Sequence, residues 1–202
     1  MKSPRETEIK LKVDDPRALK LRLKECGFVV VERRYFESNI VFDFRDSHLR
    51  KAHSLLRLRT KGSRYILTFK GPPHASNSYK IRTEIETEVD DGDALQQILE
   101  AVGLRSAFRY EKYRTAYAEK GLCKTADRPL LVYDETPIGA YIELEGPERW
   151  IDRQARRLGY QKEDYLRESY AALYWRQCRR NGVKPKDMVF SRNNSSLGSR
   201  KG

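Results

Sequence analysis

The sequence predicts an α+β fold in which about eight strands are overlaid by helices, and three observations predict it. Segments of strand length alternate with a period of two, one of the alternating faces is charged at nearly every position, and a strand–helix unit recurs without a gap. A chain of 202 residues, 39% of them hydrophobic, can bury the core that such a fold requires.

The first strand carries Glu6, Glu8, Lys10 and Lys12 on one face and Thr7, Ile9, Leu11 and Val13 on the other, because successive strand side chains point to opposite sides. Asp15 and Pro16 then start a helix, an acceptor side chain followed by a residue with no N–H to satisfy, and the apolar period stops at Gly27. Strands follow at 35–44, at 56–61 with Arg57, Arg59 and Lys61 against Leu56, Leu58 and Thr60, and at 65–70. At 81–89, Arg82, Glu84, Glu86 and Glu88 alternate with Ile81, Thr83, Ile85 and Val89. Here TEIETEVDDGDALQQILEAVGL, from Thr83, aligns without a gap to TEIKLKVDDPRALKLRLKECGF, from Thr7, and its helix stops at Gly103. Lys112 and Arg114 flank Tyr113 on another strand, a further one is expected at 130–136, and Glu143 and Glu145 alternate with Ile142 and Leu144. A looser third copy, YIELEGPERWIDRQARRLGY, ends at Gly159, and a last helix at about 163–180 spaces Leu166, Tyr170 and Leu173 along one buried face.

The chain carries 41 Lys and Arg against 29 Asp and Glu, a net +12, with a mean hydropathy of −0.79. Seven basic residues and one acid lie between 179 and 202, so half of that charge, +6, is C-terminal. The segment ends SRNNSSLGSRKG, with almost nothing to bury. The division expected is therefore a folded domain over 1–180 and a basic, disordered tail over 181–202. No apolar run approaches the ~20 residues of a membrane span, and MKSPRETEIK has no apolar region of a secretory signal, so a cytoplasmic protein is expected. Cys26, Cys123 and Cys178 are odd in number and far apart, which suggests reduced thiols and neither a disulfide framework nor a zinc site.

Strands with one charged and one apolar face permit two arrangements. An open sheet exposes the charges to water, whereas a closed barrel turns them into its lumen and covers its apolar outside with helices. The density of charge leans toward the barrel, and periodicity alone does not decide.

Six elements, in order, then carry a resemblance: Glu6-x-Glu8-x-Lys10, Leu56-Arg57-Leu58-Arg59, Lys70 in LTFKG, Arg82-x-Glu84-x-Glu86, Lys112-x-Arg114 and Glu143-x-Glu145. Over residues 6–175 the chain resembles the CYTH superfamily of triphosphate tunnel metalloenzymes. RRYFESNIVFD, VYDETPIGAYIELEGP and SYAALY are most similar to its bacterial class IV adenylyl cyclase and thiamine triphosphatase-type members. The resemblance implies an eight-stranded antiparallel closed barrel, a tunnel with a charged lumen covered by helices. It implies Mg²⁺ or Mn²⁺ held by Glu6, Glu8, Glu84, Asp134, Glu143 and Glu145. It further implies a triphosphate held by Lys10, Arg57, Arg59, Lys70, Arg82, Lys112 and Arg114, among which Lys10, Arg59 and Lys112 are the catalytic cations.

The chemistry suits those residue types. A triphosphate carries about four negative charges and needs several cations aimed at it, while hard divalent ions take oxygen ligands. Each i, i+2 carboxylate pair faces one way along its strand. Two reactions are compatible: water attacking the terminal phosphorus of an inorganic or organic triphosphate, or the ribose 3′-hydroxyl of ATP attacking the α-phosphorus to give cyclic AMP and pyrophosphate. The loop GPPHASNSYK is the expected source of substrate specificity.

Lys12, Lys61, Glu86 and Glu88 are read as structural, and His48, His53 and His74 share no useful metal or triad spacing. P-loop, dinucleotide-binding, HExxH and nucleophile-elbow motifs are missing from the sequence. The competing class is a non-catalytic polyphosphate or nucleic-acid binder, whose affinity falls steeply with salt. Paired carboxylates argue against nucleic acid in the lumen, while the basic tail remains open to acidic partners. No membrane partner is expected, and a homodimer is compatible with the sequence.

Overall fold

The computed structural model describes residues 5–76, 78–121 and 129–191. Eight strands close into an antiparallel barrel: β1 (Arg5–Val13), β2 (Phe28–Phe44), β3 (Leu55–Lys61), β4 (Arg64–His74), β5 (Lys80–Val89), β6 (Leu104–Glu119), β7 (Leu130–Thr136) and β8 (Gly139–Glu145). Their order around the wall is β1-β5-β4-β3-β2-β6-β7-β8, and β1 closes it by pairing with β5 on one side and β8 on the other. Among the described residues five α-helices accompany the barrel: α1 (Pro16–Glu25), α2 (His48–Lys51), α3 (Gly92–Ala101), α4 (Glu148–Arg157) and α5 (Tyr170–Arg180). No helix among the described residues is long and apolar enough to cross a membrane.

The alternation explains the closure. Ile9, Leu11, Ile142 and Leu144 turn outward and are fully buried beneath Leu19 and Leu23 of α1 and Trp150, Ile151 and Ala155 of α4. Phe42, Leu58 and Leu104 form a second outer cluster under Leu95 and Leu99 of α3. The charged faces have only the inside left to them. The long strands β2 and β6 pair along most of their length through register shifts, which coil them enough to serve a barrel.

The three repeated units become the neighbouring strands β5, β1 and β8, followed by α3, α1 and α4 respectively. Asp15 caps α1 by accepting from the backbone N–H groups of Arg17 and Ala18, and Asp91 caps α3 by accepting from that of Ala94. Each helix is followed by a glycine in the left-handed region: Gly27, Gly103 and Gly159, with φ of 77°, 96° and 90°.

Two expectations are corrected. The last helix begins at Tyr170, capped by Ser169, and not near 163. Residues Lys162–Asp164 form a single 3-10 turn, and Leu166 is extended, exchanging backbone hydrogen bonds of 3.0 and 2.9 Å with Lys10. The pairing of β1 with β5 ends at Glu8, so the backbone of Lys10 needs another partner, and Leu166 supplies it.

The segment after 180 is also ordered for most of its described length. Met188 bonds through its backbone to Arg109 and Glu111 along β6, beyond the reach of β7. Its side chain is 1% exposed among Phe108, Tyr110, Tyr170 and Leu173, and Phe190 packs on Tyr113. A tail poor in apolar residues still docks when the few it has meet an uncovered strand edge. Residues 192–202 and Cys123 lie outside the described residues.

Met188→Ala is therefore expected to destabilise the domain by ~2–4 kcal/mol, measured by urea unfolding. An unchanged midpoint would mean that this segment does not belong to the folded unit.

Candidate active site

The barrel encloses a cavity of about 940 Å³. Every residue proposed from sequence lines it except Asp134: Glu6, Glu8 and Lys10 from β1, Arg57 and Arg59 from β3, Lys70 from β4, Arg82 and Glu84 from β5, Lys112 and Arg114 from β6, and Glu143 and Glu145 from β8. Register sets their neighbours. Glu6 stands opposite Arg82, Lys70 opposite Glu84, Lys10 opposite Glu143 and Glu8 opposite Glu145.

Burying this many charges demands pairing, since an ion left alone in a low-dielectric interior costs several kcal/mol. Lys10 Nζ lies 2.8 Å from Glu143 and 3.4 Å from Glu8, which also receives Lys80. Lys70 Nζ lies 2.5 Å from Glu6 and 3.0 Å from Glu84. Arg57 donates to Tyr110 at 3.2 Å, Thr68 at 3.0 Å and Glu86 at 3.4 Å. Burial alone would raise the carboxyl pKa values, but Lys10, Lys80 and Lys70 hold Glu8 well below the carboxylate range. Lys10, Arg114 and Lys112 do the same for Glu143.

Asp134, expected among the metal ligands, sits behind the lining and is fully buried. It accepts Arg114 through both oxygens at 2.6 Å, Lys112 at 3.0 Å and the Tyr170 hydroxyl at 2.8 Å. Its geometry suits orienting two lumen cations. The Tyr170 ring also lies 5.1 Å from Lys10 Nζ and 5.4 Å from Lys112 Nζ, a cation–π contact to each, so the first turn of α5 packs against the site.

Glu6 and Glu84 face a single shared lysine, and burial, the hydrogen bond that the Glu84 carboxyl donates to Glu6 and mutual repulsion raise the Glu84 pKa to about 8. Glu6 is lowered correspondingly by Lys70 and Glu84. At neutral pH the two carboxyls hold one proton between them. Three guanidiniums are incompletely matched: the Nε atoms of Arg57, Arg59 and Arg82 are buried without a hydrogen-bond partner. Glu37, fully buried, approaches Arg59 at only 3.8 Å.

Several lining residues lie outside the set proposed from sequence. Lys80 continues the alternation of Arg82 and Glu84 one step back, and extending that strand would have found it. Burial lowers its pKa, with Glu8 opposing. Glu86 and Lys61 were read as structural and do pair, with Arg57 and Glu32 respectively, yet both line the cavity. Tyr110 continues the period of Lys112 and Arg114 one step back, and Tyr170, read only as a core residue of the last helix, lines the cavity too, as does Tyr35. Lys12 and Glu88 lie outside, paired with Asp14 and Arg64. The loop after Lys70 is half strand, since β4 runs to His74, and its described residues before Lys80 do not line the cavity.

The CYTH domain family matches residues 4–170. A Methanocaldococcus jannaschii protein named as a putative adenylate cyclase is 28% identical over 178 residues, 83% of this chain and 97% of its own. Three solved structures share the fold. A Vibrio parahaemolyticus protein of the same designation has a TM-score of 0.71 at 18% identity, covering 83% of this chain and 96% of its own. A Pyrococcus horikoshii protein has a TM-score of 0.70 at 24% identity, covering 85% and 99%. A Hippeastrum protein, described as an adenylyl cyclase candidate with a dominant triphosphatase activity, has 0.57 at 18%, covering 89% and 97%.

The Glu84 carboxyl gives a pH signature without added metal. Its folded pKa, about 8, lies above its unfolded value. The folded state thus binds the extra proton between about pH 4.5 and 8, and Glu84's share of stability is lost as pH rises through that window. Glu84→Gln is expected to flatten the fall in melting temperature between pH 5 and 8, measured in EDTA. An unaltered slope would place the shared proton elsewhere.

Proposed function

The chain belongs to the CYTH domain family, and on that premise we propose that it is a divalent-metal-dependent enzyme hydrolysing an inorganic or organic triphosphate at the terminal phosphate. The observation that carries this reading is the lumen itself, where seven cations from five strands converge on one cavity and the Nε groups of Arg57, Arg59 and Arg82 remain unmatched. A chain of phosphates is the ligand whose charge is spread along such a row. Lys10, Arg57, Arg59, Lys70, Arg82, Lys112 and Arg114 would exchange carboxylate partners for phosphate oxygens, and guanidiniums can do so bidentately.

The donor set fits Mg²⁺ or Mn²⁺, since only carboxylate oxygens are offered. As the side chains stand, no three acidic, His or Cys groups among the described residues form a ready cluster, because lysines hold the carboxylates apart. Glu6 and Glu84, two acids on one lysine, are the place where a cation would replace a proton, with Glu8, Glu143 and Glu145 nearby. Such an ion would neutralise phosphate charge and lower the pKa of a water.

The protein's own work is mainly electrostatic. Fixed cations stabilise charge on the equatorial and leaving oxygens of the phosphoryl group and need no reorganisation when it develops. Asp134 and Tyr170 keep Lys112, Arg114 and Lys10 in place. Attack at the terminal phosphorus by water releases orthophosphate. The cyclase reading, attack by a 3′-hydroxyl on the α-phosphorus, is favoured by the name of the Methanocaldococcus relative and would use the same cations with the substrate displaced along the tunnel.

Product analysis with inorganic triphosphate, ATP and thiamine triphosphate, each with Mg²⁺ or Mn²⁺, tests the proposal. Orthophosphate is expected, cyclic AMP with pyrophosphate would replace the first reading by the second, and no turnover would remove both. Glu145→Gln is expected to lower kcat about 100-fold, and steady-state kinetics at saturating metal that match the wild type would take it out of the site. Arg59→Ala is expected to raise KM about tenfold, and an unchanged KM and kcat would contradict its contact with phosphate.

A further inference from the structure

Two buried carboxylates stand behind the lumen without lining it, Asp134 and Glu37. They are held in different ways. Asp134 accepts from Lys112, Arg114 and Tyr170. Glu37, on β2, has its cations close by, Lys112 Nζ at 3.4 Å and Arg59 Nε at 3.8 Å, yet both of its oxygens are buried without a hydrogen bond.

The strand register gives Glu37 a neighbour of the same kind. Glu37 stands opposite Lys61 of β3 and Lys112 of β6, and Asn39, two residues on and therefore on the same face, stands opposite Arg59 and Tyr110. Asn39 is also fully buried, does not line the cavity, and has neither its amide oxygen nor its amide nitrogen hydrogen-bonded. The inward face of β2 thus forms a polar layer beneath the lumen cations.

A buried acid ordinarily offsets its desolvation through close, charge-assisted hydrogen bonds. Glu37 has none. It stays ionised all the same, because Lys112, Arg114, Arg59 and Arg57 outweigh the burial that would push its pKa up and hold it well below the carboxylate range. What Glu37 supplies is therefore negative charge spread over several cations, and not a bond that orients one of them.

Its place separates it from the other acids of the barrel. Lys10, Lys70 and Lys80 are paired with Glu143, Glu6, Glu84 and Glu8, which line the cavity and can meet what enters it. Glu37 is shut behind that lining, so its charge remains under Arg59 and Lys112 whatever occupies the lumen. A fixed negative charge there weakens the attraction for substrate and for phosphate products alike. Binding both more tightly would gain nothing in turnover and would slow release.

We propose that Glu37 is a built-in counter-charge that sets how strongly the lumen holds phosphate, keeping that hold weak enough for products to leave. This rests on the triphosphate reading above and adds the residue that tunes affinity within the same site.

Two substitutions that keep side-chain size and shift charge by one in opposite directions test it in the full chain, with folding checked by circular dichroism. Glu37→Gln is expected to lower the Kd for inorganic triphosphate, measured by calorimetry in EDTA, about tenfold. It is expected to lower the inhibition constant of orthophosphate in the Mg²⁺-dependent assay by a similar factor. Asn39→Asp, which adds a negative charge beside Arg59, is expected to raise both constants about tenfold, and it serves if Glu37→Gln does not fold. A carboxylate with a merely structural role gives the reverse sign, since looser packing or misaligned cations weaken binding when it is neutralised. If neither constant falls in folded Glu37→Gln, or neither rises in Asn39→Asp, while the wild type cleaves triphosphate, the counter-charge is overturned and the function stands. A wild type that neither binds nor cleaves any triphosphate overturns both.

Discussion

Electroneutrality inside a closed barrel is the constraint from which the other features of this protein follow. Once the outer faces of β1 and β8 are given to α1 and α4, their charged faces have nowhere to go but inward. A lumen of cations alone could not close, because each buried charge without a partner costs several kcal/mol. Carboxylates therefore stand opposite lysines across the ladder, as Glu143 does to Lys10 and Glu84 to Lys70. The acids that make the empty barrel foldable are the groups that a cation could use when phosphate takes the lysines. On the proposed function, stability and activity would draw on the same ion pairs, with exchange of partners and not exposure of new charge as the binding event.

That exchange needs a framework that does not move with it, and Asp134 supplies part of one. Enclosed behind the lining, it accepts from Arg114, Lys112 and Tyr170, three of the four bonds falling on one oxygen. Tyr170 reaches it only because α5 begins at that residue, and α5 is held by the Met188 segment along the edge of β6. A stretch of chain outside the barrel thus fixes the orientation of cations inside it. The dependence runs from a backbone bridge, through helix placement, to a phenol hydrogen bond in the lumen.

Most of the barrel was legible because both of its faces are periodic. Glu6, Glu8 and Lys10 against Ile9 and Leu11 announce a strand with two committed sides, and the gapless repeat from Thr83 announces the helix that follows. What periodicity could not convey was which residues meet across strands. Asp134 and Glu143 look alike in sequence, and only the register and the arrival of Tyr170 set one behind the lining and the other on it. The start of α5 was misplaced for a related reason: Leu166 fits a helical period, yet the unpaired backbone of Lys10 claims it. Met188 and Phe190 were missed because two apolar residues in a polar tail make no pattern, and their burial depends on an edge that another strand leaves open.

The same reasoning bears on how one lumen could serve two reactions. On the proposed function, cations distributed along β1, β3, β4, β5 and β6 would bind a chain of phosphates without specifying which phosphorus stands beside the carboxylates, since neighbouring phosphates present similar charge and similar oxygens. Register must come from something that stops the substrate sliding. The end ringed by Glu32, Tyr35, Lys61 and Glu86 is rich in charge, with Lys61 over the Tyr35 ring at 4.0 Å. The end beneath α5 carries Trp175, Phe108 and a bulged strand. A substrate whose organic part met either end would have its phosphates placed by a fixed distance, whereas one without an organic part would be free to shift along the row. On the proposed function, the choice between terminal and internal phosphorus would then be made outside the charged section.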